Sequence, residues 1–252
     1  MVITMHNPVL HELDGSSTIV MFIHGFMGSP NQFESLIETV HNAGCSYCSI
    51  LLPGHGFRMN EFSKSNSHDW ERHVQTEIDK IKDKYEKIYL FGHSMGGLLA
   101  LNASLNNENK IAGVFILQTP LKINTTNFKF LIPKLKLLFY PRSNAIKAVY
   151  IRSKSIDMSN LLLYPLIVKP ILNFYKLLCK TNKNLKNVVV PVHMIYSTTD
   201  ETTSYKSLRL MYEGLCNTKR DCFTIHNSWH AYFSHEDWRL ISKELSRFVT
   251  VS

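Results

Sequence analysis

The amino-acid sequence predicts an α/β fold with a mostly parallel central sheet flanked by helices, and three observations carry that prediction. Near-continuous apolar runs recur along the chain, as in "TIVMFIHG" from Thr18 to Gly25, and a strand is apolar throughout where both of its faces are covered. Between these runs lie segments whose apolar residues step by three and four, the helical period. The two patterns alternate, as they do where helices return the chain to a parallel sheet.

Taken in order, the turn signal Asp14-Gly15 opens the first of these strands. Further strand runs are Tyr47 to Leu52, Lys87 to Phe91, Gly113 to Leu117, Val189 to Tyr196, and a shorter one at Cys222 to Ile225. Trp70, Val74, Ile78, Ile81 and Tyr85 form one helical stripe, with Glu71, Lys80, Asp83 and Lys84 off it. "GLLALNASL" reads as the helix after the strand at Lys87. The last helix starts at Ser234, with Asp237 three residues on as an approximate capping box, and places Trp238, Ile241, Leu245 and Phe248 on one face. The alternation lapses from Leu121 to Asn187, where proline, asparagine and lysine interrupt apolar helical pieces. The predicted organisation is a core of residues 1–120 and 188–252 with a helical cap inserted at 121–187.

A chain of 252 residues, 44% hydrophobic and 19% charged, can bury one α/β core without disulfides and is not disordered. Its five cysteines include Cys45 and Cys48 in a CxxC spacing. With no second CxxC and Cys48 opening a strand run, reduced core thiols are expected. The first ten residues lack the basic start and apolar stretch of a signal peptide. The longest apolar stretch, Leu161 to Val168, is too short to span a bilayer, and its extension is broken by Pro165, Lys169, Pro170 and Lys176. A cytoplasmic protein is expected. The net charge of +8 is uneven, since residues 121–187 carry 13 Lys or Arg and one acid, Asp157. No basic helix with an aromatic platform accompanies that charge, so nucleic acid is not an expected partner.

The chemistry centres on Gly92-His93-Ser94-Met95-Gly96, between the strand "KIYLF" and a helix. A serine on such an elbow is forced into a strained turn, and glycines two residues to either side avoid a collision of side chains. Ser94 is therefore the candidate nucleophile. A hydroxyl needs a base to take its proton, and the base needs a carboxylate to fix its tautomer. In this class of sheet the chain order is Ser, then acid, then His. Asp200 follows "VVVPVHMIYS" in a loop at the carboxyl end of a strand, where open sheets place ligands, and Glu201 is its competitor. His230 lies in the loop between strand and helix, from which a base can reach over the sheet edge. His226, at the strand end, and His235, in the first helical turn, are the alternatives. "HNSWH" (His226 to His230) has the histidine spacing of H-E-x-x-H zinc proteases, but it straddles a strand end and a loop, and Asn227 cannot act as a general base. No metal or cofactor is expected. An oxyanion needs two backbone N–H donors, each worth about a hundred- to thousandfold in rate. Met95 is positioned to supply one, and Phe26, after the sharp His24-Gly25 turn, the other.

These blocks, "HGFMGSP" (His24 to Pro30), "LLPGHG" (Leu51 to Gly56), "HDW" (His68 to Trp70), "FGHSMGG" (Phe91 to Gly97), "TDE" around Asp200 and "NSWH" ending at His230, resemble the α/β-hydrolase superfamily. Within it the chain is similar to small bacterial carboxylesterases and monoacylglycerol lipases. The resemblance spans nearly everything but the insert. It implies Ser94, Asp200 and His230 as a catalytic triad, Phe26 and Met95 as oxyanion donors, residues 121–187 as a substrate-shaping cap, and a small-molecule acyl ester as substrate. Gly25, His93 and Trp229, beside the nucleophile and base, are the expected substrate contacts. Two departures stand out: Trp229 where such proteins usually carry glycine, and Thr202 and Thr203 where an apolar residue is usual. An acyltransferase, thioesterase or amidase, or a silent binding protein, would share the fold. In the cap, Phe128, Phe130, Leu131, Leu135, Leu137, Leu138 and Phe139 alternate with lysines. Either the apolar residues face the pocket and the lysines solvate the outside, or the mixed surface touches anionic lipid at about 1 kcal/mol per basic residue.

Overall fold

Alternate residues of each central strand enter opposite cores, which is why these runs are apolar throughout. Ile19, Met21 and Ile23 face one layer of helices, while Val20 and Phe22 face the other. The computed structural model describes residues 6–56, 58–124, 155–156 and 161–251. Its strands are β1 (Val9–His11), β2 (Thr18–Ile23), β3 (Ser46–Ile50), β4 (Lys87–His93), β5 (Ile111–Leu117), β6 (Val192–Ser197) and β7 (Arg220–Ile225). They form one sheet in the order β1-β3-β2-β4-β5-β6-β7, parallel except for β1 against β3. β1 escaped the sequence reading because its three residues are all exposed and carry no burial pattern. The run at Val189 becomes strand only from Val192, since Pro191 has no N–H to give the ladder.

The helices are α1 (Glu34–Asn42), α2 (Met59–Phe62), α3 (Ser67–Ile81), α4 (Met95–Ser104), α5 (Val168–Asn184), α6 (Lys206–Gly214) and α7 (His235–Val251). α1 and α7 cover one face of the sheet, over an aromatic layer in which Phe91 lies tilted against Phe22 and stacked on Phe115, at centroid distances of 5.3 and 4.8 Å. α3 and α4 cover the other, and α4 is buried along its whole length. Asn66 caps α3 by accepting the N–H groups of His68 and Asp69, while Tyr85 packs from the turn beyond the helix end. Ser234 Oγ accepts the Asp237 N–H, as a capping box requires. The Asp237 carboxylate does not return to Ser234; it binds Asn227 N–H and Ser228 Oγ–H in the preceding loop.

Within residues 121–187, α5 lays Phe174, Leu177 and Leu178 on the α3 and α4 face. Pro165 and Pro170 do not break this segment as the sequence reading expected. Pro165 falls in a 3-10 turn (Leu161–Ile167) and Pro170 in the first turn of α5, where a missing N–H costs nothing. The helical stretch Leu162–Asn187 is thus long and apolar enough, by length and composition, to cross a membrane, with 28% of its most apolar window buried. Phe128, Phe130, Leu131, Leu135, Leu137, Leu138 and Phe139 lie outside the described residues.

Candidate active site

β4 runs directly into its elbow. Ser94 follows the last strand residue, precedes the first residue of α4, and holds φ 54° and ψ −120°. A Cβ at Gly92 would lie 2.4 Å from the backbone of Gly97, and one at Gly96 1.9 Å from the Ile23 carbonyl. Strand and helix can meet this closely only with glycine at both positions.

The other two groups arrive from the second half of the chain. His230 Nε2 lies 2.8 Å from Ser94 Oγ, and His230 Nδ1 lies 2.8 Å from Asp200 Oδ2. A carboxylate only accepts, so Nδ1 carries the imidazole proton and Nε2 presents its lone pair to the serine hydroxyl. The second Asp200 oxygen accepts the N–H groups of Thr202 and Thr203 at 2.7 and 2.8 Å. The segment after β5 pairs with this loop, Asn124 N–H donating to Thr202 O and Ser204 N–H to Lys122 O, both at 2.9 Å. Threonine is therefore tolerated at 202 and 203 because the backbone makes the contact with the acid. Thr203 Oγ1 also donates to the Gln118 carbonyl at 3.0 Å.

Glu201, the competing acid, instead accepts the His230 N–H at 2.9 Å. His226 is exposed, with Nδ1 3.1 Å from Thr198 Oγ1, and His235 is exposed at the start of α7. His93, expected at the substrate, is buried against His230 and Phe233, and its Nε2–H donates to the His230 carbonyl at 2.8 Å. Burial pushes its pKa down to about 3, so it braces the base loop as a neutral ring. Trp229 fits beside the base because its loop is held through the backbone. Its N–H donates to Tyr232 O at 2.8 Å, its carbonyl accepts Gln118 Nε2–H at 3.0 Å, and its half-buried indole tilts against Tyr232.

On the opposite side, a Cβ on Gly25 would come within 3.0 Å of Ser94 Cβ, so the Gly25–Phe26 peptide lies against Ser94. Met95 opens α4 immediately after Ser94. The Phe26 ring packs between Phe62, Trp70 and Phe174, the last from α5. Ser94, His230, Asp200, Gly25 and Phe26 lie together here as expected from the sequence, whereas Gln118, His55 and the Glu201 contact are features of the site that the sequence alone does not assign. The available signal for Gln118 was the first polar residue after an apolar strand, at its carboxyl end. A hydroxyl relayed through a neutral imidazole to a buried carboxylate is the arrangement that nucleophilic acyl transfer uses.

Comparison with known proteins points the same way. The profile of the family described as serine aminopeptidase, S33, matches residues 15–237. The thermostable monoacylglycerol lipase of Bacillus sp. (strain H-257) is 22% identical over 235 residues, covering 91% of this chain and 90% of its own. Among solved structures, one of two metagenome-derived lipolytic enzymes superposes with a TM-score of 0.78 at 22% identity over 100% of both chains. A soluble variant of the Saccharomyces cerevisiae monoglyceride lipase superposes with a TM-score of 0.73 at 16% identity, over 98% of this chain and 94% of its own. At such identities the two structures speak to the fold, which is the α/β-hydrolase fold.

Proposed function

Because the chain belongs to the serine aminopeptidase S33 family of α/β hydrolases, we propose that it is a serine hydrolase cleaving carboxylic esters of the monoacylglycerol type. The observation that carries the reading is the unbroken relay of Asp200, His230 and Ser94, with 2.8 Å at both steps. In this mechanism the Ser94 hydroxyl loses its proton to His230 Nε2 as Oγ attacks the acyl carbonyl. The resulting oxyanion is received by the N–H groups of Phe26 and Met95. Collapse expels the alcohol, which takes the proton from His230, and leaves an acyl group on Ser94. Water then gives its proton to His230 as it attacks the acyl carbon, and collapse releases the acid while His230 returns the proton to Ser94 Oγ. The choice of ester rests on the names of the relatives, and the family description names a peptidase, so amide cleavage is the rival outcome of the test.

A fluorophosphonate probe should label the protein, and labelling should vanish in Ser94→Ala and His230→Ala but persist in His226→Ala. A panel of p-nitrophenyl esters, a monoacylglycerol and aminoacyl nitroanilides then separates esterase from peptidase. Faster turnover of the nitroanilides would sink the ester reading, and absence of labelling would sink the nucleophile.

A second element of the proposal is peripheral contact with anionic lipid through the cap. Its support is α5, where Val168, Leu172 and Tyr175, with Leu166 in the 3-10 turn before it, are exposed beside Lys169, Lys176 and Lys183. Sedimentation with lipid vesicles measures it.

A further inference from the structure

We infer that His24 and His55 are positioning residues for the oxyanion turn, two neutral imidazoles that cross-brace the loop after β2 against the loop after β3 and so aim the Phe26 amide. The inference rests on the hydrolase reading above. It starts from a reciprocal exchange. His24, on the first loop, accepts the Leu52 N–H of the second at Nε2, at 3.0 Å. His55, on the second loop, accepts the Met27 N–H of the first at Nε2, at 3.1 Å. An imidazole nitrogen that accepts an N–H carries no proton, so each neutral ring has its hydrogen on Nδ1. Both Nδ1 atoms face carbonyls, Gly25 O at 2.9 Å for His24 and Pro53 O at 3.2 Å for His55. The two rings are buried edge to face, 4.7 Å apart between centroids. Burial holds both neutral, lowering His55 to about 4 and His24 well below the ordinary imidazole value.

The consequence for the site follows from peptide geometry. In a trans peptide the C=O and N–H point in opposite directions, so whatever holds the Gly25 carbonyl also sets the direction of the Phe26 N–H. That carbonyl accepts twice, from His24 Nδ1–H and from Gly28 N–H at 2.9 Å. Two donors on the carbonyl polarise the peptide and strengthen its N–H as a donor. The next N–H along, Met27, is taken by His55, and the Met27 carbonyl accepts Ser155 N–H at 3.1 Å. Met27 needs this support, because its φ of 57° is one that a residue with a side chain keeps only when its surroundings impose it.

Crossed amide substitutions test the brace. An asparagine places its amide group near the position of Nδ1, a glutamine near that of Nε2. The atom that touches the oxyanion turn is Nδ1 at position 24 and Nε2 at position 55, so the tolerated replacement should differ between them. With a p-nitrophenyl ester as substrate, each variant is assayed below its own unfolding midpoint. His24→Asn and His55→Gln should keep kcat within about tenfold of the parent, while His24→Gln and His55→Asn should lose about a hundredfold with KM changed less than about threefold. A role in folding alone would give no crossed pattern. Equal losses for both replacements at each position, or losses that appear in KM, would overturn the brace while a labelled, active parent leaves the hydrolase reading standing. A parent that neither labels at Ser94 nor turns over substrate overturns both.

Discussion

Met27, Ser94 and Gln118 hold left-handed backbone, with φ of 57°, 54° and 50°, and among the described residues they are the ones that do so without being glycine. Each such position costs about 1–3 kcal/mol and persists only where neighbours over-determine it. All three lie at one site: Ser94 bears the hydroxyl, Met27 follows the Gly25–Phe26 turn, and Gln118 joins the end of β5 to the loops of Asp200 and His230. Gln118 shows how side chains compensate for the irregular backbone of the base loop. The carbonyls of Ser228, Trp229 and His230 accept from Ser197, Gln118 and His93 in turn. A glycine before the base is unnecessary when the loop is fixed at three consecutive carbonyls. Gln118→Met keeps the volume and removes one of the three donors. A net hydrogen bond is worth about 1 kcal/mol, so kcat should fall roughly fivefold to tenfold with KM nearly unchanged. An unchanged kcat in steady-state assays would show that the other two contacts suffice.

At the scale of elements, the sequence was most readable where burial is two-sided. β2, β4 and β5 and the helix after Ser94 declare themselves through composition, because nearly every residue meets a covered face. β1 does not, having no buried residue to mark it. The elbow was legible because steric need forces its glycines, and Asp200 and His230 because they follow strands at the carboxyl end. Bonds such as His93 to the His230 carbonyl, across 137 residues of chain, leave no local pattern to read. Proline misled the reading of α5, since its effect depends on position within a helix. The same helix carries the lipid-contact prediction. Its outer face offers Val168, Leu172 and Tyr175 among lysines, and basic residues near an anionic surface contribute about 1 kcal/mol each. The protein should sediment with vesicles containing anionic lipid and less with neutral ones, and the double variant Lys176→Glu, Lys183→Glu should bring the two close together. Equal sedimentation of the parent with both would remove the electrostatic part of the contact.

For the molecule as a whole, the position of its buried histidines couples the site to stability. His24, His55 and His93 are held neutral in the folded state, mainly by burial, with His55 at about 4 and His93 at about 3 against an ordinary 6.5. Their pKa values are lowered on folding, so the unfolded chain binds protons that the native protein refuses. Above pH 6.5 both states are neutral and the full stability is present. As the pH falls from 6.5 towards 4, each refused proton removes about 1.4 kcal/mol per pH unit, which amounts to roughly 3 kcal/mol for His55 by pH 4. Denaturant unfolding followed from pH 7.5 down to 5 should therefore show a midpoint that holds steady at first and then drops steeply below about 6.5. The variant His55→Gln, which keeps an acceptor but cannot be protonated, should flatten that slope by about one proton. A parent profile that stays level from pH 6.5 to 5 would mean that these rings are charged or solvated in the native state. In that case the reciprocal bonds to the Leu52 and Met27 N–H groups could not both be made, since a protonated ring has no lone pair to accept them.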